Sequence, residues 1–330
     1  MGNNSRVIHL YYHSPCFDGA ASAAIASTYF QEQLAHDRTE LHGVNYELKA
    51  DWLDSQLSAP AAVLDFLYHP KADFWFDHHA TTFVNDRALR DYEFRRGPER
   101  VYDRDATSCT LLIWRHWGAK LQEVPHFEPL VRWADRIDSA RYDSVEEAVT
   151  LQAPALKINL ALGTSDDPTF SQRLVRLFQR YSLAEVADVP EVRAAYESGW
   201  KLQQRGLERL KVSLHEGPEG IVMFDVDGND VMVNRYAPFY LRPGARYSAG
   251  VIRRRETAKL TTMRNPWMEF PSAPLGEICA PLGGGGHRRV ASIVLRDRDP
   301  REVLERLVNA VASWEEDSRA AKSQQTVPGV

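Results

Sequence analysis

The chain has 330 residues, 44% of them hydrophobic, with 40 Lys and Arg against 45 Asp and Glu for a formal charge of −5. That length allows a full core and two domains, and the acidic balance argues against a general duplex-DNA coat, so a nucleic-acid substrate would need a locally basic groove. No apolar run approaches the roughly 18 residues of a membrane span, no secretory leader is visible, and three scattered cysteines, Cys16, Cys109 and Cys279, argue against a disulfide framework and for a reducing cytoplasm.

In chain order, residues 6–12 read as a strand running into His13-Ser14-Pro15-Cys16-Phe17-Asp18-Gly19, after which a small-residue helix spans 19–33. A His and an Asp thus stand at a strand-to-helix turn, although Asp18 could serve merely as a helix cap. A second strand, 61–67, is interrupted by Asp65, and a carboxylate inside an apolar run is costly unless paired or bound to metal. A third, 72–76, ends in Asp77-His78-His79, oxygen and nitrogen donors that suit Mn²⁺, Mg²⁺ or Zn²⁺. Three successive strands therefore bring acidic or imidazole groups to one edge, where open α/β sheets bind ligands. Helices at 108–117 and 127–137 fit βαβ units around a mainly parallel sheet flanked by helices.

From 168 to about 210 the apolar period is helical, which suggests a helical connector. Short strands follow at 220–225, 231–233, 247–252 and 260–263, the first two separated by Asp227-Gly228-Asn229-Asp230. A helix at 275–280 leads to Gly283-Gly284-Gly285-Gly286-His287, then a strand at 290–295 and a helix at 300–314, together a smaller α+β domain with a mixed sheet. The glycines let backbone N–H groups approach an anion, and His287 adds a donor for a phosphate or a stacking face for a base. Arg253-Arg254-Arg255 reads as a solvated strand edge. Residues 316–330 lack periodicity and are expected to form a disordered tail.

Taken together, His13, Asp18-Gly19, Asp65, Asp77-His78-His79 and the late Gly283-Gly284-Gly285-Gly286-His287 make most of the chain resemble the DHH phosphoesterase superfamily with its DHH-associated C-terminal domain. That group includes RecJ-type single-strand exonucleases, oligoribonucleases and cyclic-dinucleotide phosphodiesterases. The resemblance implies a metal-binding domain at 1–185, a connector at 186–212 and a substrate-binding domain at 213–315. It makes His13 and Asp65 ligands of one metal and Asp18, Asp65 and His78 ligands of a second, with Asp65 bridging. A fourth-motif aspartate is also implied: Asp138, in Asp138-Ser139-Ala140-Arg141-Tyr142, is preferred, with Asp135 one helical turn earlier as the alternative. The family's usual first motif has an aspartate where this chain has Cys16. A branch of the family with His followed by Cys-x-Asp-Gly resembles it, and a thiolate can ligate a softer metal such as Zn²⁺.

The resemblance further implies two Mn²⁺, or Mg²⁺ or Zn²⁺, that activate water for attack on a phosphodiester. His79 would face the substrate and Asp77 would orient or bridge at the metal edge. Arg264 and Asn265 would grip a nucleotide phosphate, alongside Gly284, Gly285, Gly286 and His287. The expected partner is a short single-stranded oligonucleotide or small nucleotide, with no membrane and with homodimerisation left open. Cyclic-dinucleotide hydrolysis, or nucleotide or RNA binding by a protein whose first metal site has decayed, are the alternatives.

Overall fold

Along β1 (Val7–His13) buried and half-buried residues alternate, because successive strand side chains point to opposite faces. Ile8, Leu10 and Tyr12 enter the core, while His9, Tyr11 and His13 share the other face. The helix α1 (Phe17–Gln33) follows, and every residue from Phe17 to Phe30 is buried, as expected of a helix that is apolar all round. β2 (Arg38–Val44), β3 (Ala61–Leu64), β4 (Phe74–Asp77), α2 (Asp86–Arg95) and β5 (Arg100–Tyr102) come next. The five strands form one sheet in the order β2-β1-β3-β4-β5, and every pairing is parallel. Since β2 lies to one side of β1 and β3 to the other, the C-terminal ends of β1 and β3 flank the topological switch point of the sheet.

The computed structural model describes residues 6–325 and divides into two compact units. The first comprises the chain up to Tyr142 together with Leu151–Gly199, and the second comprises Asp143–Thr150 and the chain from Trp200 onward. The remaining helices in this stretch are α3 (Cys109–Trp117), α4 (Phe127–Asp138), α5 (Val145–Thr150), α6 (Pro154–Thr164), α7 (Phe170–Phe178), α8 (Leu183–Asp188) and α9 (Pro190–Ser213). α1, α3, α4 and α7 enclose the main core with Leu10, Leu64 and Phe76. Phe76 packs on Trp117 with ring centroids 4.6 Å apart, and each such sealed side chain stabilises the fold by about 1.5–3 kcal/mol. Trp52, Val63, Phe66, Tyr68 and Trp75 form a second core.

The second unit carries β6 (His215–Glu216), β7 (Ile221–Asp227), α10 (Ala237–Leu241), β8 (Tyr247–Arg253), β9 (Ala258–Arg264), α11 (Leu275–Cys279), β10 (Gly285–His287), β11 (Val290–Leu295) and α12 (Pro300–Gln325). Its sheet runs β10-β11-β9-β8-β7-β6 and is antiparallel except between β7 and β8. Leu275, Leu304, Leu307 and Val311 pack with Val251, Leu260 and Ile293. The α/β class, with a parallel first sheet and a mixed second one, is as the sequence indicates.

Two expectations are corrected. Residues 231–233 are not a strand: the Met232 N–H donates to the Leu202 carbonyl of α9 at 3.0 Å instead of to a sheet, and Gly206 lets the segment press onto that helix, since a Cβ there would overlap the Met232 carbonyl. The tail is helical through Gln325 rather than disordered from 316. Glu315 accepts from Arg246 and Tyr247, and Arg319 pairs with Glu219, which ties this stretch down; residues 326–330 lie outside those described. Among the described residues no helix is long and apolar enough to cross a membrane, and all three cysteines are free.

Candidate metal centre

Each strand of the first sheet that flanks the switch point delivers a polar residue at or just past its C-terminal end, His13 from β1 and Asp65 after β3. β3 stops at Leu64, and Asp65 follows at φ +56°, a left-handed conformation that costs an L-residue about 1 kcal/mol or more and is found mostly at turns and functional sites. Its N–H donates to the Phe76 carbonyl at 2.9 Å, so its carboxylate is aimed from a pinned backbone. The side chain is buried to 1% exposure, and neither oxygen has a hydrogen-bond partner. His13 Nδ1 lies 3.5 Å from Asp65 Oδ2 and His78 Nε2 lies 3.6 Å from Oδ1. Both nitrogens are buried and without a hydrogen bond. Four ligand atoms thus face one another at distances too long for good hydrogen bonds.

The other ligands arrive from further elements. Asp18 lies in the first turn of α1, yet it caps another helix: its carboxylate accepts from the backbone N–H groups of Cys109 at 2.7 Å and Thr110 at 3.0 Å, at the start of α3. Its Oδ2 also stands 3.9 Å from His78 Nε2. Asp138, at the end of α4, comes within 3.3 Å of the same nitrogen. Asp135 is spent elsewhere. It binds Arg141 at 2.6 Å and accepts from Thr107, so of the two aspartates the structure brings only Asp138 to the cluster. Cys16 stands within ligand range of His13 and Asp65.

The tautomers of the two histidines follow from their partners. His78 Nδ1 is 3.1 Å from the Ala106 carbonyl, which can only accept, so Nδ1 carries the proton and Nε2 is left for the carboxylates. His79 Nδ1 donates to Asp77 Oδ1 at 2.8 Å. Asp77 is fully buried and also accepts from the His78 N–H at 2.8 Å and from the Thr82 hydroxyl. Asp77 therefore orients the pair, and it also offers a carboxylate oxygen within 4.8 Å of ligand atoms of Asp65, His78 and His79.

Charge crowding shifts these groups in different directions. Burial, and then the Asp65 and Asp138 carboxylates, push Asp18 well up. Asp138 is lifted to about 6 by burial and by Asp65. Against the upward pull of burial, His13, His78 and His79 hold Asp65 well below the usual carboxylate range. Burial alone would lower His78 and His79, but Asp65 lifts the first to about 10 and Asp77 lifts the second to about 9. Burial and the adjacent carboxylates push the Cys16 thiol well up, so binding of a metal there would have to release its proton.

Divalent ions fit this arrangement. The donors are carboxylate oxygen, imidazole nitrogen and one sulfur, and the separations of 3.3–3.9 Å are those of groups sharing an ion at about 2.0–2.2 Å. One neighbour was missed by sequence reasoning. The Tyr46 ring lies 5.1 Å from His13 and 6.3 Å from His79. It follows β2, so recognising that edge strand would have placed Tyr46 at the same sheet edge.

The second unit has a pocket of about 360 Å³ lined by Gly285, Gly286 and His287 together with Phe224, Arg235 and Lys259. Gly286 is at φ +149° and a Cβ on it would overlap the Val290 carbonyl, so the strand pairing itself requires glycine there. Gly284 sits against Ile293 and Ser292 instead. Arg264 and Asn265, expected to grip a phosphate, are hydrogen-bonded inside the fold. Both are buried; Arg264 donates to the carbonyls of Asn265, Met268 and Phe270, and Asn265 donates to that of Ala245. Three N–H groups of the guanidinium and the Asn265 amide thus have partners inside the fold.

No family model and no curated protein matches the sequence significantly. Solved structures do match. A pGpG-specific phosphodiesterase, PggH from Vibrio cholerae, superposes with a TM-score of 0.73 at 18% identity over 93% of this chain and 99% of that one. The DHH domain of a member of a ribosomal-protein family gives 0.54 at 14% identity over 93% and 87%. Manganese-bound RecJ from Thermus thermophilus gives 0.58 at 15% identity over 94% of this chain and 52% of RecJ, so the chain spans about half of that protein. The chain has the DHH fold that its motifs resemble.

Proposed function

We propose that the protein is a divalent-metal-dependent phosphodiesterase acting on short linear oligonucleotides or small nucleotides. The observation that carries this reading is the set of four buried, partnerless ligand atoms around Asp65, since buried polar atoms without partners are rare and costly unless something binds them. His13, Cys16 and Asp65 would hold one ion, and Asp18, Asp65, His78 and Asp138 a second, with Asp65 between. Bound there, the ions would lower the pKa of a water and neutralise charge on the phosphate.

The protein's own groups do the rest. Asp77 anchors His79 through Nδ1 and favours its protonated form by pairing with it, which leaves Nε2 to donate to a phosphate oxygen. Burial raises Tyr46, so its hydroxyl stays protonated beside the centre. In the second unit, Arg235, Lys259 and His287 suit an anionic ligand and Phe224 a base. The likeness to a pGpG-specific phosphodiesterase and the net charge of −5 favour a short substrate over a long polyanion.

The test is phosphate-ester cleavage with Mn²⁺ and with chelator, on linear dinucleotides such as pGpG, tri- to pentaribonucleotides, 3′-phosphoadenosine 5′-phosphate, cyclic di-AMP and pyrophosphate. Metal-dependent turnover of the linear dinucleotide, absent in Asp65→Asn, is expected. No metal-dependent turnover of any substrate would overturn the enzyme reading, and turnover of cyclic di-AMP alone would replace the substrate class.

A further inference from the structure

β2 is the edge strand of the first sheet, and its register with β1 sets His9 opposite Glu40 and Tyr11 opposite His42. These side chains emerge on the same half-buried face of β1 as His13. His9 is four residues from His13, about 13 Å along a strand, too far to share an ion with it. His9 Nδ1 lies 3.1 Å from His42 Nε2 and 3.4 Å from Glu40 Oε2. All three atoms fall within 4.8 Å of one another.

We propose that His9, Glu40 and His42 form a second, separate site for a transition metal of the Zn²⁺ class, bridging β1 and β2. Two imidazole nitrogens and one carboxylate oxygen, with a fourth position open, are a common three-ligand zinc set. Tetrahedral ligands at about 2.0–2.1 Å from one ion stand roughly 3.3 Å apart, which is the spacing of His9 Nδ1 from its two neighbours.

The surroundings suit the role. Arg38 holds the other carboxylate oxygen of Glu40 at 2.7 Å, which leaves Oε2 turned to the histidines, as hydrogen bonds around ligating carboxylates do. The Tyr11 ring stacks on His42 at 4.5 Å and limits its rotation.

The experiment is Co²⁺ titration of the full chain carrying Asp65→Asn, followed by visible absorption and metal analysis, with circular dichroism to confirm folding. One equivalent with a tetrahedral spectrum, displaced by Zn²⁺, is expected. Adding His42→Ala should abolish the spectrum, and Glu40→Gln should weaken binding by about ten-fold or more, the least that even outer-shell changes cost. Absence of the spectrum from a folded Asp65→Asn chain overturns the proposal, and so does its survival in both His9→Ala and His42→Ala. Should His42→Ala fail to fold, Glu40→Gln decides: unchanged affinity overturns the site.

Discussion

Asp65 in the first unit and Arg264 in the second are both charged, both at the end of a strand and both nearly sealed, at 1% and 4% exposure. Their polar atoms fare differently. The Arg264 guanidinium donates to three main-chain carbonyls and lies 4.3 Å from the Phe270 ring centroid. The Asp65 oxygens have no hydrogen-bond partner, and His13 Nδ1 and His78 Nε2, which face them at 3.5 and 3.6 Å, also lack one. A buried ion whose donors are used up holds a fold together, whereas one left open marks where something else binds.

Substitutions can break this contrast. The largest effect is expected from Asp65→Asn, which should lower metal-dependent turnover by about 10³-fold or more, roughly 4 kcal/mol of barrier. Unchanged metal-dependent turnover in that variant would place Asp65 with Arg264 as a structural ion. Arg264→Met should do the reverse and cost about 3 kcal/mol in urea unfolding, with KM unchanged in whatever fraction stays folded. A normal unfolding midpoint with a raised KM would restore Arg264 as a substrate contact. Mn²⁺ at about 100 times its Kd should stabilise the wild type by about 2.7 kcal/mol in calorimetry, and neither chelator-treated protein nor Asp65→Asn should show the shift. The smallest effect sharpens the picture at the fourth motif. Ala140 sits at φ +54° just past Asp138, so Ala140→Gly should stabilise by about 1 kcal/mol without moving the metal dependence.

The candidate ligands that the structure brings together were legible because each interrupts or ends an apolar run. His13, Asp65 and His78 look out of place in sequence, and burial without hydrogen-bond partners is why. Asp135 and Asp138 could not be separated by sequence, since one helical turn leaves both near the same helix end; the choice depends on Arg141, which reaches back to pair with Asp135. Arg264 and Asn265 misled because a basic residue at a strand end looks the same whether it grips a ligand or the carbonyls of the turn that follows. β2 was unread because its charged and half-exposed positions, Arg38, Glu40 and His42, dilute the alternation of an edge strand. With it went both Tyr46 and the His9–Glu40–His42 cluster. The segment 231–233 shows the opposite failure, an apolar run whose backbone pairs with a helix.

Gly19 carries a consequence for the spacing of the two ligand groups. A Cβ on it would overlap the carbonyl oxygen of His13, so the helix that bears Asp18 rests directly on the strand that bears His13. Any side chain at this position would press helix and strand apart, because a packed interior has no room to absorb it. The distance between the group around His13 and the group around Asp18 is thereby fixed at a residue that belongs to neither.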